Sequence, residues 1–115
     1  MKKLVFLFIA VALVLTSCVS EKDFFGVWYV DNGNERNVIQ FSESADGKNA
    51  FYWVVKDIAN DETVSISKGY FKTDNRQIVL TYLDGYTELT LSFKLDGEKL
   101  TLSSDSASMV LTKYE

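Results

Sequence analysis

The sequence predicts an all-β domain: eight short antiparallel strands in a meander that closes into a small barrel, with a cleaved targeting segment in front. Three features point there. Proline is absent, and no window has apolar residues recurring at three and four over several turns, so amphipathic helices have no signal. Short runs of alternating, β-branched or aromatic residues are separated by clusters of Asn, Asp and Gly. The connections are short, which makes sequence neighbours spatial neighbours.

The first element is not part of the fold. Met1, Lys2 and Lys3 precede an apolar run from Leu4 to Leu15, the charged and apolar regions of a secretory signal. A spanning helix needs about 20 apolar residues, and this run stops at Thr16 and Ser17. At its end Leu15-Thr16-Ser17-Cys18 resembles the lipobox of bacterial lipoproteins and uses the only cysteine in the chain. The resemblance implies cleavage before Cys18 and acyl chains on its thiol. Residues 1–17 are then a lipoprotein signal peptide, 18–24 a lipidated N-terminus and linker, and 25–115 the barrel domain. The expected location is the cell envelope, anchored to a bacterial membrane through those chains. Val19 lacks the aspartate that retains many such proteins in an inner membrane, so the outer one is expected where there are two.

Cleavage leaves 98 of the 115 residues, enough for one domain. Removing Lys2 and Lys3 leaves ten bases against sixteen acids, a net charge of −6. An acidic body with scattered bases argues against nucleic-acid partners. One cysteine permits no internal disulfide. A monomer held by burial and sheet hydrogen bonds is expected.

The strands are expected near 26–31, 36–42, 50–56, 63–72, 76–83, 86–95, 98–103 and 108–114. Asp84-Gly85 and Asp96-Gly97 are dipeptides preferred by two-residue hairpins. The first turn pairs Leu80 with Leu89 and Ile78 with Leu91; the second pairs Phe93 with Leu100. One apolar face results: Ile78, Leu80, Tyr82, Leu89, Leu91, Phe93, Leu100 and Leu102. The second pairing also sets Lys94 opposite Lys99, a mildly unfavourable pair. A wider loop would pair Leu95 with Leu100 and leave the faces unchanged. The echo of "LDGYTELTLS" in "LDGEKLTLS" reflects two hairpins meeting the same demands, because solenoids need at least three repeats.

On the first strand, Phe25-Gly26-Val27-Trp28-Tyr29 resembles the Gly-X-Trp signature of lipocalins and their calycin relatives. The resemblance implies a lipocalin-like barrel in which Gly26 bends the chain into the first strand. Trp28 would close the barrel base, covered by a basic residue of the last strand, here Lys113. It also implies a small apolar or amphipathic ligand. The chain departs from that pattern in its short barrel, without a disulfide or a C-terminal helix. Eight strands enclose a lumen just wide enough to be filled by side chains or to hold one small ligand. The bulk of Trp28, Phe41, Trp53 and Phe93 favours filling. Any pocket is expected near one rim, lined by Trp53, Tyr82 and Phe93. The alternative function is a filled barrel that meets another protein through its outside.

Catalysis has little material. Histidine is absent, so Ser-His pairs and imidazole metal sites are impossible, and most carboxylates stand in turns. Asp31-Asn32-Gly33-Asn34-Glu35 has the composition of a calcium loop without its spacing. No enzyme activity, cofactor or metal is expected.

Overall fold

The computed structural model describes residues 20–114, so the signal peptide and Cys18 lie outside the described residues. After a short 3-10 helix, Glu21–Phe24, come eight strands: β1 Gly26–Asn32, β2 Glu35–Glu43, β3 Asn49–Asp57, β4 Glu62–Asp74, β5 Gln77–Tyr82, β6 Glu88–Asp96, β7 Lys99–Ser103 and β8 Ser108–Lys113. All pair antiparallel in sequence order, and β8 returns to β1 to close the barrel.

Closure is uneven around the ring. β2 and β3 share nine paired positions, whereas β1 meets β8 only at Trp28↔Lys113 and Tyr29↔Thr112, extended by the Tyr114 amide donating to the Val27 carbonyl. Along β4 a bulge opposite Val55 and Lys56 makes Val64 the extra residue. Farther along, β4 crosses β5 so closely that a Cβ on Gly69 would stand 2.0 Å from the Thr81 carbonyl oxygen. Glycine there is what lets the sheet curl, since its absent side chain permits close backbone approach.

The first of the two hairpin registers agrees with the reading from sequence, and the second differs. Leu80 pairs with Leu89 and Ile78 with Leu91, as expected from Asp84-Gly85. The two-residue turn that would set Leu83 opposite Tyr86 does not form, because the Leu83 amide donates instead to the Lys68 carbonyl of β4 and the Asp84 carboxylate gathers the Tyr86 and Thr87 amides. In the second hairpin Leu95 pairs with Leu100 and Phe93 with Leu102. The turn is therefore Gly97-Glu98, with Gly97 at φ 61° in the position where type II′ turns favour glycine. This register sets Lys99 opposite Asp96 and Lys94 opposite Thr101, which removes the lysine pair.

The shift of two residues keeps parity, so the apolar face stays inside. Ile78, Leu80, Leu91, Leu100 and Leu102 are buried there with Trp28, Ile39, Phe41, Phe51, Phe71 and Leu111. Phe24 joins them from the 3-10 helix, although the sequence reading places it in the linker.

Candidate functional site

The two ends of the barrel differ. One end carries the turns around Gly47, Asn75 and Gly97, together with the entry to β1. Ser20 starts the 3-10 helix there through a capping box: its hydroxyl accepts the Lys22 amide, and the Asp23 carboxylate accepts the Ser20 amide at 3.0 Å. The helix delivers Phe24 into the lumen, its ring edge-on to Phe93 at 4.9 Å and to Phe41 at 5.6 Å. Gly26 then turns the chain into β1 at φ 134°, a conformation that glycine alone adopts readily. The Trp28 indole N–H donates to the Phe24 carbonyl at 2.8 Å, and the Lys113 ammonium stands 5.5 Å from the centre of the Trp28 ring. This end is sealed.

The opposite end carries the loops 33–34, 58–61, 83–87 and 104–107. Inside its rim, Trp53, Val55, Ser65, Ser67, Tyr82 and Leu89 line a recess of about 180 Å³. The Trp53 indole N–H is occupied by the Asn37 side-chain oxygen at 2.9 Å, and Tyr82 packs edge-on against Phe51. Of the three residues expected to line a pocket, Trp53 and Tyr82 come together here. Phe93 lies at the sealed end, against Phe24.

Carboxylates tie the rim loops. The Asp84 pKa is lowered, foremost by the Thr87 hydroxyl and then by the Thr87 and Tyr86 amides. The Asp57 pKa is lowered foremost by the Asn60 side chain, with the Asn60 and Ala59 amides and the Asn34 side chain adding to it. Asp31 is held by a bidentate pair with Arg36, at 2.6 and 3.0 Å. Among the described residues, no group of three or more His, Cys, Asp or Glu side chains gathers closely enough to hold a metal ion.

The wider concavities are on the outside. A groove of about 450 Å³ crosses β2, β3 and β4, with Ser42 and Ala50 among its lining residues and Tyr52, Lys68 and Tyr70 beside them. A second, of about 370 Å³, is lined by Val27, Tyr29, Arg36, Val38 and Tyr114. Exposed apolar side chains crowd the open-end half of the molecule: Val64 at 56%, Ile66 at 54%, Leu83 at 56% and Tyr86 at 94%.

Sequence reasoning missed Phe24, the plug of the sealed end. Its signal was present: Ser20-Glu21-Lys22-Asp23 directly before Phe24 has the spacing of a capping box ahead of an apolar run.

No family model matches the chain, and no curated protein matches it either. Among solved structures, the chain is similar to the NMR structure of a protein from Bacteroides thetaiotaomicron, with 19% identity and a TM-score of 0.64. The match covers 84% of this chain and 93% of that one, so the likeness is one of fold along nearly the whole barrel.

Proposed function

We propose that this chain is an envelope lipoprotein, held to a bacterial membrane by acyl chains on Cys18, whose lipocalin-like barrel recognises another protein through its outer surface. In this reading it is a monomer that carries no catalytic centre, and the sealed end has the calycin arrangement of tryptophan and basic side chain at Trp28 and Lys113. One observation carries the choice against a ligand carrier: the lumen is packed with side chains, and the recess at its open end is about 180 Å³. Small-molecule sites usually span about 300–1,000 Å³. Apolar side chains that a solvated surface would not need stand instead on the outside, at Val64, Ile66, Leu83 and Tyr86.

The second reading, a carrier of a small apolar or amphipathic molecule, draws on Trp53 and Tyr82 lining that recess together. Titrating the unlipidated domain with fatty acids and small aromatic amphiphiles, while following tryptophan emission, separates the two. A flat response is expected. Saturable quenching that Tyr82→Ala abolishes, with the fold intact, would establish the carrier reading instead.

A further inference from the structure

We infer that the sealed end of the barrel is its membrane-facing end, seated on lipid headgroups, and that the open end and its apolar side chains face away from the bilayer. The inference rests on the acylation of Cys18 proposed above, and extends it from an anchor to an orientation.

The tether is too short to allow much else. The chain is fixed from Ser20 onward by the capping box, and Phe24 is wholly buried in the barrel. Only Val19 separates Ser20 from Cys18. Two Cα steps of a trans chain span at most about 8 Å. The polar layer on each side of a bilayer is itself roughly 5–8 Å thick. A thioether-linked glyceryl group sits where that layer meets the acyl chains, and the cysteine side chain and thioether add about 4–5 Å to the reach, so Ser20 stays within roughly one headgroup layer of the outer edge of the headgroups. The 3-10 helix it caps lies against the sealed end, which must come down with it.

That end has a surface compatible with headgroups. Lys22, Lys48 and Arg76 are exposed beside its turns, within reach of lipid phosphates. Tyr114, 69% exposed where β8 leaves the sheet, is an aromatic of the type that favours the membrane–water interface. Acids are interspersed among them: Glu43, Asp46, Asp74, Asp96 and Glu98 flank the same turns, and Glu21 and Asp23 belong to the 3-10 helix. Charge alone would therefore not bind this end to an anionic membrane. The tether does the holding.

The test uses the full, processed chain in phosphatidylcholine vesicles that carry a nitroxide on the headgroup. A thiol-reactive fluorophore is placed at Ala45→Cys, in the sealed-end turn, or at Ser106→Cys, in an open-end loop. The Ala45 label should be quenched several-fold more strongly than the Ser106 label, and a long flexible Gly-Ser spacer inserted between Val19 and Ser20 should shrink the contrast. Equal or reversed quenching on a chain whose intact mass shows acylation would overturn the orientation alone, and a contrast that survives the spacer would overturn the short tether as its cause. A membrane-extracted chain without acyl mass would overturn the anchored reading and this inference with it.

Discussion

The Trp28 indole donates its proton to the backbone carbonyl of Phe24, 2.8 Å away, and neither side chain has any exposure to solvent. Residues four apart are thereby locked across the bend at Gly26, so the plug and the first strand form one unit. Removing the indole N–H strands the Phe24 carbonyl where water cannot reach it.

That bond separates two substitutions at Trp28. Trp28→Phe keeps an aromatic ring but leaves the Phe24 carbonyl unpaired, at a cost of about 1–3 kcal/mol. Trp28→Ala also opens a cavity and should cost about 3–5 kcal/mol. Urea unfolding of the unlipidated domain measures both. Variants as stable as the parent would show that the base does not depend on this residue.

Lys113 is expected to contribute through its charge over the indole. Lys113→Met should cost about 0.5–2 kcal/mol, the range for a cation over an aromatic face from exposed to desolvated settings. Lys113→Arg should recover most of it, and tryptophan emission should shift in the Met variant. Loss of stability in both variants alike would point to shape rather than charge.

Gly69→Ala should be the most damaging small change in the barrel. The added methyl would meet backbone at 2.0 Å, and backbone cannot rotate aside as a side chain can. Overpacking typically costs about 1–3 kcal/mol and sometimes more; this clash belongs at or beyond the upper end. Gly33→Ala is the control, with open space around it and only the strain of φ 65° to bear. Melting temperatures should rank parent, Gly33→Ala, Gly69→Ala, and the reverse order of the two variants would refute the close crossing of β4 on β5.

Acid should loosen the loops that Asp57 and Asp84 tie before the turns around Asn75 and Gly97. Asp57 and Asp84 have pKa values lowered in the fold, so each adds stability above its unfolded value of about 4 and loses it as pH falls through the folded value. Below about pH 4, amide exchange in loops 58–61 and 83–87 should therefore rise faster than at the turns around Asn75 and Gly97. Asp57→Asn and Asp84→Asn should remove most of that pH dependence. Uniform exchange across those loops and those turns would contradict it.

Much of this fold was legible because strands and hairpins are local. Asp84-Gly85 set which side Leu80 and Leu89 share, and both pack into the core as that pairing expects. The register at Gly97 was harder, since one dipeptide serves turns that differ by two residues; the repulsion between Lys94 and Lys99 was the available hint, and the structure avoids that pair. Gly69 gave no warning, because its role depends on Thr81 of a different strand. The recess was half legible: parity placed Trp53, Tyr82 and Phe93 on the inner side, but not how far along the barrel each would sit, and Phe93 lies at the other end. Phe24 was hidden by its polar neighbours, which disguised an ordered plug as a tether.

The scant pairing of β1 with β8 makes the barrel a bracelet with a small clasp. Every other join links strands adjacent in sequence and can form as the chain folds back on itself, while the clasp must wait for residues 83 and 85 positions apart to meet, the step with the largest loop-closure cost. Once formed, it is held by few rungs, so breathing of the native state should start there and leave the seven hairpins intact. The side chains that bridge it, Trp28 and Lys113, are the same ones that seal the base, and an opened clasp is an unsealed barrel.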